Sequence, residues 1–169
     1  DYLPFLSKVM MADGMLDSPL RAVLRKGKSH YVCDARLMKR LQTANLDRKN
    51  PLAKAALLSM RDHLDLDMAP HLSGYDRERI CVPPTCDCGK TECRYLCYLD
   101  VCASERYAIQ VCNHNLLLAD AIHQGSGKRP ILPDSCAIVM DEAHKLPETA
   151  RQMFGITLAA GELHTLCRK

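Results

Sequence analysis

Cysteine is concentrated in one short stretch of this chain. Of the ten cysteines, six fall within 22 positions, Cys81, Cys86, Cys88, Cys93, Cys97 and Cys102, while Cys33, Cys112, Cys136 and Cys167 stand apart. A secreted disulfide scaffold would be shorter and poorer in methionine and long apolar segments. The segment from His71 to Lys90 is broken by proline, glycine and aspartate, so it cannot bury much apolar surface by itself. We therefore predict that bound metal organises this region.

The closest group of thiols is Cys86, Cys88 and Cys93, in the sequence CDCGKTEC. A four-iron cluster needs four thiolates, and Cys33 is the distant candidate because it follows a basic strand and turn and opens a helix. Cys81 and Cys97 are the alternative ligands. Zinc also accepts four thiolates and is the competing metal. The spacing CxC-x4-C nevertheless differs from the paired CxxC knuckles of zinc ribbons.

The remaining cysteines have plain structural interpretations. Cys112 and Cys136 lie inside apolar strands, and we predict that both are ordinary buried residues. Cys97 and Cys102 are separated by a helical spacing, which is also typical of core residues.

An acidic motif follows the most apolar strand of the sequence. The run Cys136–Met140 indicates a buried parallel strand, and ligands bind at the carboxyl ends of such strands. Asp141 would hold the Mg²⁺ that bridges the β- and γ-phosphates of ATP, and Glu142 would polarise the attacking water. The alternative is that both carboxylates only cap a following helix.

The chain contains no G-x-x-x-x-G-K-[ST] sequence; the nearest string, residues 125–129, lacks both the spacing and the hydroxyl residue. We therefore expect that the chain does not hydrolyse ATP alone. It begins Asp1-Tyr2-Leu3-Pro4, without an initiator methionine or a leader, which we interpret as an internal fragment of a longer protein.

Positive charge is also unevenly distributed. Between Arg21 and Lys54 there are ten lysines and arginines against only Asp34 and Asp47. Such an excess suits a phosphate backbone, although a solvated helix face would also explain it. No run of about 18 apolar residues occurs, so we expect no membrane span.

The spacing of apolar residues, together with proline, glycine and capping residues, predicts five helices and three strands. The helices are residues 2–12, Asp34 (as a cap) to Leu41, Leu52 to about Leu64 (after Asn50-Pro51), 116–122, and Pro147 to Met153. The strands are residues 20–24, 107–112 and 136–140. The strand–helix–strand order from Tyr107 to Met140 is a βαβ unit, which predicts an α/β fold with a parallel sheet. The cysteine-rich part is then a mainly helical insertion in that fold.

Four segments, taken in order, resemble the DinG/XPD-type iron–sulfur helicases of superfamily 2. They are Arg25–Cys33 (RKGKSHYVC), the cysteine trio, Val111–Leu117 (VCNHNLL) and Asp141–His144 (DEAH). In that family the first segment leads to the first cluster ligand, the third marks the return to the first motor domain, and the fourth is the Mg–ATP motif. The resemblance extends from about Leu20 to Pro147. The family spaces its last three ligands more widely, so which four cysteines bind stays open.

The resemblance implies a parallel-sheet motor domain in residues 1–24 and 106–147, an iron–sulfur insertion in 25–105, and the start of an arch-type helical insertion in 148–169. It implies a [4Fe–4S] cluster on Cys33, Cys86, Cys88 and Cys93. It also implies Mg²⁺ and ATP at Asp141 and Glu142, with His144 linking the ATP site to neighbouring motifs.

By the same resemblance, the parent protein would move 5′ to 3′ on single-stranded or forked DNA in the bacterial cytoplasm, associated with the nucleoid. Its phosphate contacts would be Lys26, Lys28, Arg36, Lys39 and Arg40. A sheet cut from its neighbours would leave apolar edges open to artefactual self-association. Two other interpretations remain: a zinc-stabilised nucleic-acid-binding module without ATPase activity, and a protein adaptor with structural or redox-active cysteines.

Overall fold

The computed structural model describes residues 2–43, 51–86, 93–104 and 106–155, and these form a mainly helical chain with one parallel sheet of two strands. The chain divides into two compact units, residues 1–111 and residues 112–169. The helices and strands, in chain order, are α1 (Tyr2–Ala12), β1 (Ala22–Arg25), α2 (Asp34–Thr43), α3 (Pro51–Ser59), α4 (Gly74–Ile80), α5 (Arg94–Ala103), β2 (Ile109–Cys112), α6 (His114–Gly125) and α7 (Leu146–Phe154). This architecture is compatible with an α/β class.

Helix α1 has the predicted bounds, and β1 and β2 each begin two residues later than predicted. The backbone N–H of Leu20 donates to the Oγ of the buried Ser7 at 2.8 Å, which ties α1 to the segment before β1. At the other end of β1, the buried Arg25 donates to the Oε1 of Gln110 in β2 at 3.2 Å. Gln110 in turn donates to the carbonyl of Cys102 at 2.8 Å, so α5 is joined to the sheet.

The apolar core of the first unit lies where α2, α3, α4 and the turn Leu66–Met68 meet. Its most deeply buried side chains are Val32, Leu37, Leu57, Met60, Leu66 and Ile80. Helix α3 begins at Pro51 as predicted, because a proline at the first helical position loses no hydrogen bond. It ends at Ser59 rather than near Leu64, since the backbone N–H groups of Arg61 and Asp62 fold back onto Leu58 and Ser59 in a turn. Leu58, the neighbour of the buried Leu57, is 36% exposed.

A short extended segment, Tyr31–Cys33, runs through the middle of this unit. Isolated antiparallel bridges pair Tyr31 with Asp65 and Val32 with Cys81. Val32 N–H donates to the carbonyl of Leu64 at 2.9 Å, and Cys33 N–H donates to that of Ile80 at 2.7 Å. The segment is therefore held by hydrogen bonds from two sides before α2 begins at Asp34.

In the second unit, Asn113 caps α6 by accepting the backbone N–H of Leu116 at 2.9 Å. Helix α6 packs against α7, which begins beside Pro147 as predicted. The buried Asp120 of α6 accepts backbone N–H groups from Ile131 at 2.6 Å and from Leu132 at 3.0 Å. This carboxylate therefore holds the loop that leads toward the acidic motif.

The predicted strand Cys136–Met140 is wrong for this chain. The segment is irregular and exposed, and Val139 is 95% accessible to solvent. A parallel strand is stable only between neighbours that satisfy its backbone groups and cover both of its faces. The described sheet contains only β1 and β2, so the βαβ unit lacks its second strand and the predicted burial of Cys136 is wrong as well.

Within the described ranges, no helix is both long and apolar enough to cross a membrane.

Adjacent leucines in α3 give a direct test of the core. Leu57 is 1% exposed and Leu58 is 36% exposed. Replacing Leu57 with Ala should lower the free energy of unfolding by about 2–5 kcal/mol, because the deletion leaves a cavity as well as losing apolar burial. Replacing Leu58 with Ala should cost under about 1 kcal/mol. Urea denaturation of both variants measures the difference, and equal losses would contradict the assigned core.

Candidate metal centre and acidic motif

Cys33 lies at the point where the extended segment Tyr31–Cys33 enters α2. It is buried, with 6% of its surface exposed, and it clusters with Tyr31 and Val82. Its carbonyl accepts the N–H of Leu37 at 2.8 Å, so this thiol sits at a helix N-terminus. The positive end of a helix favours negative charge, which suits a thiolate ligand. The predicted position of Cys33, at the opening of a helix, is confirmed.

Cys93 occupies the equivalent place on α5, as its N-cap residue. The residue after each of these two cysteines is charged, and the two charges meet: Arg94 Nε donates to Asp34 Oδ1 at 2.8 Å. Tyr95, in the next position of α5, packs against the cluster that contains Cys33. Two independent contacts therefore bring the helix starts that carry Cys33 and Cys93 close together.

The other cysteines are placed less favourably or lie elsewhere. Cys81 adjoins Cys33, because Val32 and Cys81 form a backbone bridge. Cys86 is exposed, and Cys88 and Cys167 lie outside the described residues. Among the residues that the structure describes, no three His, Cys, Asp or Glu side chains converge as a metal site. The structure thus brings together the segments that carry two predicted ligands, Cys33 and Cys93, and one alternative ligand, Cys81.

Cys102 and Cys97 differ in their exposure to solvent on α5. Cys102 is fully buried, which confirms its interpretation as a core residue. Cys97 is exposed, so the same interpretation is wrong for it. The two residues are five positions apart, which is about 140° around a helix of 3.6 residues per turn, so Cys97 lies away from the buried face that holds Cys102.

Three tyrosines next to Cys33 form a network that sequence reasoning missed. The ring centroid of Tyr31 lies 4.9 Å from that of Tyr98 and 5.4 Å from that of Tyr95. Tyr98 donates to the carbonyl of Leu24 at 2.9 Å, so the 3.0 Å contact between the two hydroxyls requires Tyr31 to donate to Tyr98. Burial raises the pKa of Tyr95 to about 12 and raises that of Tyr98 further, aided by its bond to Tyr31. The phenols of Tyr95 and Tyr98 therefore stay protonated.

The predicted phosphate contacts Lys26 and Lys28 make bonds within the protein. Lys26 Nζ lies 2.6 Å from Asp65 Oδ2 and 2.8 Å from Asp67 Oδ2. Burial opposes the charge of Lys26, but its hydrogen bonds to these aspartates outweigh that effect and raise its pKa. The ammonium of Lys28 donates to the carbonyl of Pro84. Lys26 is therefore a charged anchor for the turn Leu66–Met68.

The three predicted contacts on α2 differ among themselves. Arg36 donates to the carbonyl of Cys81 at 2.7 Å, and Arg40 Nε pairs with Asp76 Oδ1 at 2.6 Å. Lys39 is exposed, and its ammonium meets no acceptor among the described residues. The pairing of Arg40 with Asp76 also fastens α2 to α4. Of the five predicted contacts, Lys39 is the one most available to an external phosphate.

Asp67 is the centre of an ion cluster that sequence reasoning also missed. Besides Lys26, it accepts from Arg77 Nη1 at 2.7 Å and contacts His30 Nδ1 at 3.2 Å. The hydrogen bond from Lys26, followed by that from Arg77, holds the pKa of Asp67 far below its usual range. The partners are distant in sequence, since Lys26 and Asp67 are 41 positions apart, so no local pattern signals the cluster.

The acidic motif forms a tight exposed turn before α7. Asp141 Oδ1 accepts the backbone N–H of Glu142 at 2.9 Å. Glu142 has φ 51°, a left-handed conformation that side-chain-bearing residues rarely adopt. Its carboxylate lies 3.3 Å from His144 Nε2 and 3.3 Å from Lys145 Nζ. The three predicted residues Asp141, Glu142 and His144 thus lie together on one turn, with both carboxylates accessible to solvent.

One contact joins this turn to His114, in the segment Val111–Leu117 that resembles a helicase motif. His114 Nε2 lies 3.0 Å from the carbonyl oxygen of Asp141, and because a carbonyl can only accept, the histidine must donate. Asn113, the neighbour of His114, caps α6. Two motifs that were recognised separately along the sequence are therefore in direct contact within the second unit.

Sequence comparison gives the class of protein to which these segments point. The chain is related in sequence to proteins named as ATP-dependent DNA helicases. The helicase YoaA of Haemophilus influenzae is 27% identical over an alignment of 184 positions, which covers 98% of this chain and 26% of that protein. The helicase YoaA of Escherichia coli is 38% identical over 60 residues, 36% of this chain and 9% of that protein.

The chain thus spans about a quarter of the length of the Haemophilus relative. No protein-family profile matches the chain, and no solved structure matches it.

The ion cluster predicts a pH dependence. Replacing Asp67 with Asn should lower the free energy of unfolding by about 1 kcal/mol near neutral pH, a modest value because solvent screens a carboxylate that is 40% exposed. Its pKa is lower in the folded chain, so the stabilisation is present above the unfolded value of about 4 and is lost as the pH falls toward the folded value.

Urea titrations of the wild type and Asp67→Asn from about pH 7 to about pH 2 should therefore converge at the acidic end. Asp62→Asn, an exposed change in the turn after α3, is the matched control. A constant difference between wild type and Asp67→Asn across this range would contradict the assigned ion cluster.

Proposed function

We propose that this chain is the part of an ATP-dependent DNA helicase that carries an iron–sulfur cluster and the DEAH motif. The observation that carries the proposal is the 27% identity to a DNA helicase along 98% of the chain, with the four predicted segments inside it. The contact between His114 and Asp141 adds local support, because it joins two of those segments. By the resemblance, the parent protein moves 5′ to 3′ on single-stranded DNA in the bacterial cytoplasm.

The proposed cluster takes Cys33, Cys86, Cys88 and Cys93 as ligands. The donor set fits in its chemistry, since Cys33 and Cys93 begin two helices whose starts are fastened together. When bound, the cluster supplies a four-thiolate cross-link between segments that are distant in sequence. Water is excluded at Cys33, because this thiol is buried against Tyr31 and Val82, whereas Cys86 is exposed.

The proposed nucleotide motif uses the carboxylates of Asp141 and Glu142. Asp141 is assigned to the Mg²⁺ that accompanies ATP, and Glu142 to orienting water, which are the roles that carboxylates take in such motifs. His144 lies 3.3 Å from the Glu142 carboxylate and can hold its orientation. We propose that the phosphate-binding loop that completes the site belongs to another part of the parent protein, and that this chain does not hydrolyse ATP alone.

Serine substitutions test the ligand set. The visible absorbance of chain purified without oxygen should be lost in Cys33→Ser and Cys93→Ser, because each removes one thiolate from a four-thiolate site. Cys136→Ser, an exposed change in the second unit, is the control and should keep it. The same series on Cys81, Cys86, Cys88 and Cys97 identifies the other two ligands. Full absorbance in both Cys33→Ser and Cys93→Ser would contradict the proposed site.

Single-stranded DNA affinity tests the proposed partner. Lys39→Ala should weaken binding and reduce the slope of log affinity against log salt by about 0.7, the value for one phosphate contact on a single strand. Lys26 is already paired with Asp65 and Asp67, so Lys26→Ala should act mainly on folding stability. Lys8→Ala, an exposed change in α1, is the control. An unchanged salt slope in Lys39→Ala would remove Lys39 from the interface.

A further inference from the structure

Arg94, the residue after Cys93, joins three separate segments of the first unit through its guanidinium. Nε and Nη2 of its guanidinium both donate to Asp34 Oδ1, the Nε at 2.8 Å. Nη1 donates to the carbonyl of Arg61 at 2.8 Å, and Nη2 donates to that of Met60 at 3.0 Å. One side chain on α5 therefore holds both the first residue of α2 and the end of α3.

Each partner of Arg94 is a group that needs a donor. The carbonyls of Met60 and Arg61 lie in the turn after α3, outside the hydrogen-bond ladder of that helix, so they need donors from elsewhere. Asp34 is a carboxylate in the first turn of α2. A planar guanidinium presents several N–H groups in a fixed fork, so it can satisfy the three groups together, whereas the compact ammonium of lysine cannot.

The consequence for the metal centre follows from where these contacts lie. Asp34 directly follows Cys33, and Arg94 directly follows Cys93. Fixing Asp34 to Arg94 therefore fixes the helix starts that carry the two cysteines. The packing of Tyr95 onto the cluster of Tyr31 and Cys33 supports the same juxtaposition through an apolar contact. All of these contacts are between groups of the polypeptide itself.

We infer that Arg94 is a positioning residue for the metal centre: its guanidinium sets the helix starts of Cys33 and Cys93 together, so that two ligands are placed before metal binds. The inference rests on the proposed function in that it takes Cys33 and Cys93 as ligands. It goes beyond that function by assigning the organisation of the site to a residue that is not a ligand. Groups that orient ligands in this way typically change metal affinity by about 10–100-fold when they are replaced.

The test is Co²⁺ binding by the metal-free chain, followed by the charge-transfer absorbance of cobalt–thiolate bonds. Arg94→Lys keeps the charge but loses the fork, and it should weaken Co²⁺ binding by about tenfold or more. Asp34→Asn keeps the carbonyl contacts of Arg94, so it should give a smaller loss. Anaerobic loading with iron and sulfide, then removal by a chelator, should show faster cluster loss in the same order.

Arg77→Lys is the matched control. Arg77 also donates to a carboxylate and a backbone carbonyl, Asp67 at 2.7 Å and Leu66 at 3.0 Å, in the same unit. Urea denaturation of the metal-free variants shows whether the two lysine substitutions destabilise the fold to the same extent. The inference expects similar losses of stability but weakened metal binding only in Arg94→Lys.

The outcomes separate the two proposals. If the wild type binds metal and Arg94→Lys binds it as tightly as Arg77→Lys does, the role of Arg94 is overturned and the metal centre stands. Metal affinity that simply tracks stability in both variants would also overturn that role. If the wild type takes up neither cobalt nor iron, the metal centre itself is overturned, and the inference with it.

Discussion

The backbone pairing of Tyr31–Cys33 is the constraint on which the first unit depends. Hydrogen bonds from Val32 to Leu64 and from Cys33 to Ile80 hold this short segment from two sides. Because its three N–H groups and the carbonyls of Tyr31 and Cys33 have hydrogen-bond partners, the segment can be buried in the middle of the unit. Everything around it follows from this placement: the apolar core lies on the side of Val32, and the tyrosine network on the side of Tyr31.

The same segment explains why the candidate metal centre lies where it does. Cys33 ends the extended stretch, and α2 starts immediately after it. The start of α5 is brought to the same place by the contact between Arg94 and Asp34 and by the packing of Tyr95. Ionic and aromatic contacts, rather than sequence proximity, therefore bring two thiols 60 positions apart toward each other. A metal bound to both cysteines would add a further cross-link between the two helix starts that these contacts join.

Elements controlled by local chemistry were predictable from the sequence. The bounds of α1 were correct, and the start of α3 at Pro51 followed from the fixed backbone of proline. Features that depend on distant partners were not predictable. Lys26 was assigned to DNA, because nothing near it in sequence indicates that Asp65 and Asp67 hold its charge. The strand Cys136–Met140 failed for a related reason, since its composition requires neighbouring strands that are not part of the described sheet.

The metal content of the wild-type chain decides whether the proposed site binds an iron–sulfur cluster or zinc. Iron, zinc and acid-labile sulfide should be measured on protein purified without oxygen. A four-iron cluster on this chain predicts about four iron and four sulfide per chain, with little zinc. One zinc per chain without sulfide would contradict it, and would favour a zinc-stabilised module in place of the iron–sulfur domain.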